Sequence, residues 1–156
     1  KGKVNTAVDL LLGKTVAGES VVVLGGGLVG TETALYLAQE GKKVTIVEIL
    51  DSIARNIHTP NRMHLLKLLG DANVRVLTGT RVLEITDEGI IIMDNRDERS
   101  AVKADTIALA VGLRSNNRLS EALNDKASEI YAIGDCVEPR RLINSIWEGF
   151  RTARLI

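Results

Sequence analysis

Apolar residues along the chain follow two different periods, and their order predicts the fold. Nearly continuous apolar runs at residues 21–24 and 44–47 are typical of buried strands in a parallel sheet. Between them, apolar residues recur at helical spacing over residues 28–38, and Gly41 offers a helix stop. Residues 20–48 are therefore predicted to form a unit of strand, helix and second parallel strand.

The rest of the chain continues the alternation of strands and helices, which predicts the α/β class. Asn5 or Thr6 is expected to cap the first helix, while Asn61 caps a later helix that Gly70 ends. In chain order, the further predicted elements are a helix at 5–12, a helix at 61–70, strands at 74–77 and 105–111, a helix at 119–123, a strand at 130–133 and a helix at 144–155.

The period changes to strict alternation between residues 80 and 103. Three short strands separated by polar turns are typical of an antiparallel meander. In the first of them, one face is predicted to carry Val82, Glu84 and Thr86, and the other Arg81, Leu83 and Ile85. We expect the charged residues of this meander to form a solvated surface rather than a site.

A glycine motif joins the first buried strand to its helix. Its residues, which form the predicted phosphate-binding loop, are Gly25, Gly26, Gly27, Leu28, Val29 and Gly30, and they fit the pattern G-x-G-x-x-G. Gly25 allows a tight turn, Gly27 lets a pyrophosphate approach the backbone, and Gly30 lets the helix pack on the strand. The helix N-terminus then favours negative charge. The alternative is a glycine-rich turn that binds nothing.

Glu48 follows the second strand of the unit, 18 residues after Gly30. An acid at this place can accept hydrogen bonds from a ribose hydroxyl, although it could also be a solvated strand end. Its charge repels a 2′-phosphate, which favours NADH. NADPH stays open as the alternative, because Arg55 or Arg62 could fold back to bind that phosphate.

Composition narrows the class of protein. The chain has 156 residues, with 20 basic and 20 acidic side chains and a net charge of zero, so nucleic-acid or anionic-membrane binding is not expected. It shows no apolar run of spanning length and no signal peptide. Its single cysteine excludes an intrachain disulfide framework, which suits a reducing, cytoplasmic setting. It starts at Lys1 without Met, and residues 154–156 still look helical, so we expect a piece of a longer protein.

Other polar and aromatic residues have structural interpretations beside functional ones. For Glu32, the interpretation as an ordinary first-turn acid is slightly preferred to the interpretation as a cofactor contact. Cys136, a lone thiol, is interpreted as a small buried residue. His58 and His64 lack a third metal ligand, so no metal site is predicted. Trp147 is expected to anchor a core or an interface.

Four motifs together carry a family resemblance. They are GGGLVGTETA at 25–34, ALAVGLRSN at 108–116, YAIGDC at 131–136 and WEGFRTAR at 147–154. In this order they resemble the C-terminal part of NADH:flavin oxidoreductases, in the 2,4-dienoyl-CoA reductase and 2-enoate reductase family. The resemblance implies a Rossmann-like FAD/NAD(P)-binding fold with a central parallel sheet and a three-stranded antiparallel β-meander.

The resemblance also implies a domain plan and further site residues. Residues 20–112 match an NAD(P)H-binding domain, and residues 1–19 and 113–156 match flanking pieces of an FAD-binding domain. Gly112 matches a glycine beside the nicotinamide half. Gly134 and Asp135 match the Gly-Asp pair that binds the FAD ribityl chain, and no catalytic residue is assigned.

One departure from the family limits what this chain is expected to do alone. The family has two G-x-G-x-x-G loops and carries FMN and an iron–sulfur cluster on an N-terminal barrel, whereas this chain has one loop. We therefore expect an NADH-binding module that positions nicotinamide for hydride transfer to FAD, and an isolated chain without activity. The expected reaction of the intact protein is reduction of an enoate or enoyl-type substrate.

The expected partners of the chain are the dinucleotide cofactors and the missing FAD and barrel domains of the same polypeptide. The sequence leaves open whether the protein forms a homo-oligomer. The rival interpretations are a non-catalytic nucleotide-binding or interaction domain, and a disulfide reductase-like flavoprotein.

Overall fold

The computed structural model describes residues 2–55, 57–124 and 126–156. The chain divides into two compact units, one that ends at Val111 and one that begins at Gly112. The elements of the first unit are β1 (Val4–Thr6), α1 (Ala7–Leu11), β2 (Ser20–Leu24), α2 (Leu28–Gln39), β3 (Lys43–Val47), α3 (Thr59–Asp71), β4 (Arg75–Leu77), β5 (Arg81–Thr86), β6 (Gly89–Met93), β7 (Arg99–Lys103) and β8 (Thr106–Leu109).

A parallel sheet in the order β1-β8-β2-β3-β4 forms the centre of the first unit. Strand β2 lies in the middle and pairs with β3 on one side and β8 on the other. Successive residues of β2 point to opposite faces of the sheet. Val21 and Val23 pack against the helices, whereas Val22 and Leu24 pack against the meander. All four are buried, and full burial of one such side chain stabilises a fold by about 1.5–3 kcal/mol.

The meander forms a separate antiparallel sheet of β5, β6 and β7, as the alternation predicts. Its apolar face covers the parallel sheet with Ile90, Ile92 and Val102. The predicted faces of β5 are wrong, because a bulge lies between Val82 and Glu84. These two residues oppose adjacent residues of β6, so they point to opposite faces.

Helix α3 is longer than predicted at both ends. His58 is its N-cap rather than Asn61, because Pro60 fits the first turn of a helix, where its missing N–H is not needed. The helix continues through Gly70 to Asp71, and Asn73 adopts the left-handed conformation (φ +55°) beyond its end. Gly70 has open space around it and is not the helix stop.

The predicted helix over residues 5–12 begins later, at Ala7. Thr6 caps it as expected, since its Oγ1 accepts a hydrogen bond of 3.1 Å from the Asp9 N–H. The residues before it form β1, which pairs with β8 at the sheet edge. A strand of three residues is too short to show a period, and the sequence therefore did not indicate it.

The second unit contains α4 (Arg118–Leu123), a 3-10 turn (Gly134–Cys136) and α5 (Leu142–Ala153). The strand predicted at 130–133 is absent from the described part of this unit, and Tyr131 and Ile133 are 47% and 39% exposed. A strand needs a neighbour to satisfy its backbone groups, and the described residues of this unit offer none. Trp147 is exposed, so of its two predicted roles the core role is wrong and the interface role stays a prediction.

Within the described residues, no helix combines the length and the apolar character that crossing a membrane requires.

Candidate functional site

The candidate site is a cleft of about 420 Å³ at the carboxyl edge of the parallel sheet. After β2 the chain continues to β3 on one side, while β8 flanks β2 on the other. Open α/β sheets bind ligands at such a switch point. The cleft is lined by Leu24, Gly25, Gly27, Val47, Glu48, Ile49, Thr80, Arg81, Val82, Ala110 and Val111.

Gly25 and Gly30 are required by the fold of the loop itself. Gly25 has φ +103°, and a Cβ there would lie 2.5 Å from the Ala110 carbonyl oxygen. A Cβ on Gly30 would lie 1.9 Å from the Gly25 carbonyl oxygen. These two glycines therefore set the tight turn and the close packing of α2 on the strand, in the way their spacing predicts.

Gly27 differs from both, because a Cβ there would meet nothing within 4 Å. It is exposed, lines the cleft and is the N-cap of α2. The N–H groups of the first helical turn lack intrahelical acceptors and favour an anion. Leu28 and Val29, which open that turn, are 50% and 43% exposed. The residues present thus fit a pyrophosphate group.

Glu48 is 9% exposed, so it is not a solvated strand end. Its Oε2 accepts a hydrogen bond of 2.6 Å from the Gly26 N–H, and its Oε1 accepts one of 2.8 Å from the Leu50 N–H. Each carboxylate oxygen keeps a second lone pair, which fits a ribose diol. Glu48 therefore ties the middle of the glycine loop to the end of β3 and still lines the cleft.

The meander supplies a wall of the cleft that the sequence did not predict. The Thr80 N–H donates to the Glu48 carbonyl oxygen (3.0 Å), and the Gly79 N–H donates to that of Leu50 (2.7 Å). These bonds place Arg81 and Val82 along the cleft. Arg81 was expected on a solvated surface, and no motif marks this segment, since only the pairing with the chain after β3 brings it there.

Neither arginine considered for a 2′-phosphate lines the cleft. The Nε and a terminal nitrogen of Arg62 both donate to the Ile53 carbonyl oxygen at 3.2 Å. Arg55 pairs with Asp51 at 3.5 Å. Both guanidinium groups therefore stabilise the loop between β3 and α3.

The second unit holds Gly134 and Asp135 through Glu148, which the sequence analysis missed. The Gly134 N–H donates to Glu148 Oε2 at 2.7 Å, and the Arg140 guanidinium pairs with the other carboxylate oxygen. The Gly134 N–H, followed by Arg140, lowers the pKa of Glu148, while Glu148 raises that of Arg140. Asp135 Oδ1 accepts the Arg140 N–H at 3.3 Å.

The remaining candidate residues belong to the second unit and do not line the cleft of the first unit. Gly112 opens the second unit. Asp135 and Cys136 line a cleft of about 250 Å³ within that unit. Cys136 is partly exposed and its thiol donates to the Ile133 carbonyl oxygen, so it is not the fully buried residue expected. The described residues contain no cluster of His, Cys, Asp and Glu that could hold a metal ion.

The sheet topology and the cleft at its switch point define the class of protein as a Rossmann-like nucleotide-binding domain. A family model described as pyridine nucleotide-disulphide oxidoreductase matches residues 2–149. The chain belongs to this family, whose domains occur in flavin-dependent NAD(P)H oxidoreductases, and the family's cofactors are the pyridine nucleotide and FAD.

Two curated relatives match nearly the whole chain. A metal reductase of Desulforamulus reducens is 34% identical, with 97% of this chain and 27% of the relative covered. A cinnamate reductase of Clostridium sporogenes is 33% identical, with 99% of this chain and 24% of the relative covered. The chain thus spans about a quarter of the length of the curated relatives it matches.

A solved structure of 2-naphthoyl-CoA reductase, in complex with 2-naphthoyl-CoA, is similar over 98% of this chain and 23% of its own. The TM-score is 0.90 and the sequence identity 31%. The predicted fold class and the resemblance to enoate and dienoyl-CoA reductase-like flavoenzymes are therefore confirmed.

Proposed function

We propose that this chain is the NADH-binding module of a multidomain flavin oxidoreductase. The observation that carries the proposal is the open backbone at Gly27, in one cleft with the buried carboxylate of Glu48. A Gly-rich turn that binds nothing would not need both an empty Cβ position and a carboxylate held beside it.

The protein's part in the reaction is to bind and orient. The bound dinucleotide supplies a hydride for FAD. The N–H groups after Gly27 hold its pyrophosphate, and Glu48 accepts hydrogen bonds from the adenosine ribose hydroxyls. Because Glu48 carries a negative charge, it disfavours a 2′-phosphate and selects NADH over NADPH.

In the whole protein, we assign Gly112 to the nicotinamide half and Gly134 with Asp135 to FAD. Glu148 holds the Gly134 N–H and therefore fixes this turn. Domains outside this chain supply the rest of the FAD site, and FMN with an iron–sulfur cluster belongs to a barrel domain. A cinnamate reductase and 2-naphthoyl-CoA reductase among the similar proteins support an unsaturated acid or acyl thioester as substrate.

Calorimetric titration of the chain with NADH and with NADPH tests the proposal. We expect tighter binding of NADH. Gly27→Val should abolish that binding while the chain still folds, because its side chain enters the space for the pyrophosphate and its Cβ meets no protein atom within 4 Å.

Gly70→Val is the matched control, since Gly70 also has open space around it but lies on α3, away from the cleft. Unchanged NADH affinity in Gly27→Val would show that the glycine loop is not the binding site. A preference for NADPH would show that Glu48 does not select the nucleotide.

A further inference from the structure

Arg81 is the cationic residue among those that line the cleft. Its position is fixed relative to Glu48, because Thr80, the residue before it, donates its N–H to the Glu48 carbonyl oxygen at 3.0 Å. Arg81 begins β5, so its backbone is held by pairing with Met93 of β6. The backbone of Arg81 therefore belongs to an ordered strand that forms a wall of the cleft and not to a free loop.

The two charged side chains that line the cleft, Glu48 and Arg81, differ in their hydrogen bonding to the protein. Both carboxylate oxygens of Glu48 accept backbone N–H groups. The Arg81 side chain, in contrast, makes no hydrogen bond or ion pair with the residues that the structure describes. Arg55 and Arg62 are engaged elsewhere, with Asp51 and with the Ile53 carbonyl oxygen. Among the residues that the structure describes, the cleft thus presents one cation, Arg81, without a protein partner.

We propose that Arg81 binds a phosphate group of the dinucleotide in this cleft. The inference rests on the proposed function and deepens it by naming a recognition residue on the meander. A guanidinium presents a planar set of donors that matches phosphate oxygens. Two phosphates of a dinucleotide can be its target, namely the pyrophosphate that NADH and NADPH share and the 2′-phosphate of NADPH alone.

The test compares Arg81→Met with Arg99→Met by calorimetric titration with NADH and with NADPH. Arg99 is a matched control, because Arg81 and Arg99 are both register partners of Met93, on opposite sides of β6, and Arg99 lies outside the cleft. We expect Arg81→Met to weaken binding about tenfold, equivalent to ~1.4 kcal/mol, while Arg99→Met leaves it unchanged.

Comparing the loss of affinity for NADH with that for NADPH shows which of the two phosphate groups Arg81 binds. Equal losses for NADH and NADPH assign Arg81 to the pyrophosphate, and a loss confined to NADPH assigns it to the 2′-phosphate. Arg81→Lys, which keeps the charge but not the planar set of donors, should bind more tightly than Arg81→Met and less tightly than the unsubstituted chain, and its binding should weaken more steeply with salt than that of Arg81→Met. This second variant also separates the loss of charge from an effect on folding.

Affinities in Arg81→Met equal to those in Arg99→Met for both nucleotides would overturn the assignment of Arg81 while leaving the proposed function intact. If the unsubstituted chain binds neither nucleotide, the proposed function itself fails, and the assignment of Arg81 fails with it.

Discussion

Glu48 combines two tasks in a single side chain. Its carboxylate accepts the Gly26 N–H at 2.6 Å and the Leu50 N–H at 2.8 Å, and the residue also lines the cleft. Gly26 has no room for a Cβ, which would lie 2.3 Å from Ile53 Cγ2. The glycine loop is therefore fixed from both sides before a ligand arrives, which lowers the ordering cost of binding.

We expect Glu48→Gln to lower the free energy of unfolding by about 1–3 kcal/mol, because the amide NH₂ would face one of the two backbone donors and leave it unsatisfied. Urea denaturation measures this change. Glu40→Gln, an exposed carboxyl at the end of α2, is the control and should change stability little. Equal effects of the two substitutions would show that the Glu48 hydrogen bonds do not support the loop.

At this scale the sequence predicted the structural roles of Gly25 and Gly30, since their spacing depends on backbone geometry alone. It did not predict the bond from Glu48 to Gly26, nor the place of Arg81. Both depend on where residues distant in sequence meet, and Arg81 reaches the cleft only because Thr80 pairs with Glu48.

A side-chain contact joins Ser20, the first residue of β2, to Asp105, the residue before β8. Asp105 Oδ2 accepts hydrogen bonds from the Ser20 N–H (2.8 Å) and from the Ser20 hydroxyl (2.7 Å). These bonds, the hydroxyl first, lower the pKa of Asp105 below its usual range. A lowered pKa means that the contact stabilises the folded chain above the unfolded-state pKa and is lost as the pH falls through the folded-state pKa.

We therefore expect Asp105→Asn to destabilise the chain at about pH 7 and less at about pH 3, because pH 3 lies below the unfolded-state pKa of about 3.9 and the stabilisation falls on that side of it. Urea denaturation of both proteins at the two pH values measures the difference. Asp71→Asn removes an exposed pair with Lys67 and should have little effect at either pH. A difference between the wild type and Asp105→Asn that does not change with pH would contradict the prediction.

Elements whose signals are local in sequence were predicted accurately, whereas elements that depend on pairing with a distant strand were not. The unit of β2, α2 and β3 was predicted closely, because its burial pattern and its glycines are local in sequence. Strand β1 was missed, since its pairing with β8 defines it. The apolar run at 130–133 was predicted as a strand, but the described part of its unit has no strand to pair with it.

The two units of the molecule differ in how they use their apolar residues. In the first unit, two buried clusters cover both faces of the parallel sheet. In the second unit, α5 leaves Ile146, Trp147 and Phe150 more than half exposed. An exposed apolar face of this kind is typical of a surface that packs against other protein parts, and the chain spans about a quarter of the two relatives described above.

Without those parts, the exposed face of α5 should make the isolated chain self-associate. Ile146 and Phe150 lie one helical turn apart, and the rings of Trp147 and Phe150 are 5.9 Å apart, so the apolar surface is continuous. We expect Ile146→Lys with Phe150→Lys to reduce the apparent mass in concentrated solution, measured by analytical ultracentrifugation over a range of concentrations.

The control substitution is Leu119→Lys, because Leu119 is 73% exposed on α4 and outside this surface, so its loss should leave association unchanged. Salt separates the causes, since apolar association persists when salt is raised, whereas association through charges weakens. A wild-type chain that remains monomeric at high concentration would show that the exposed face of α5 is compatible with a stable isolated domain.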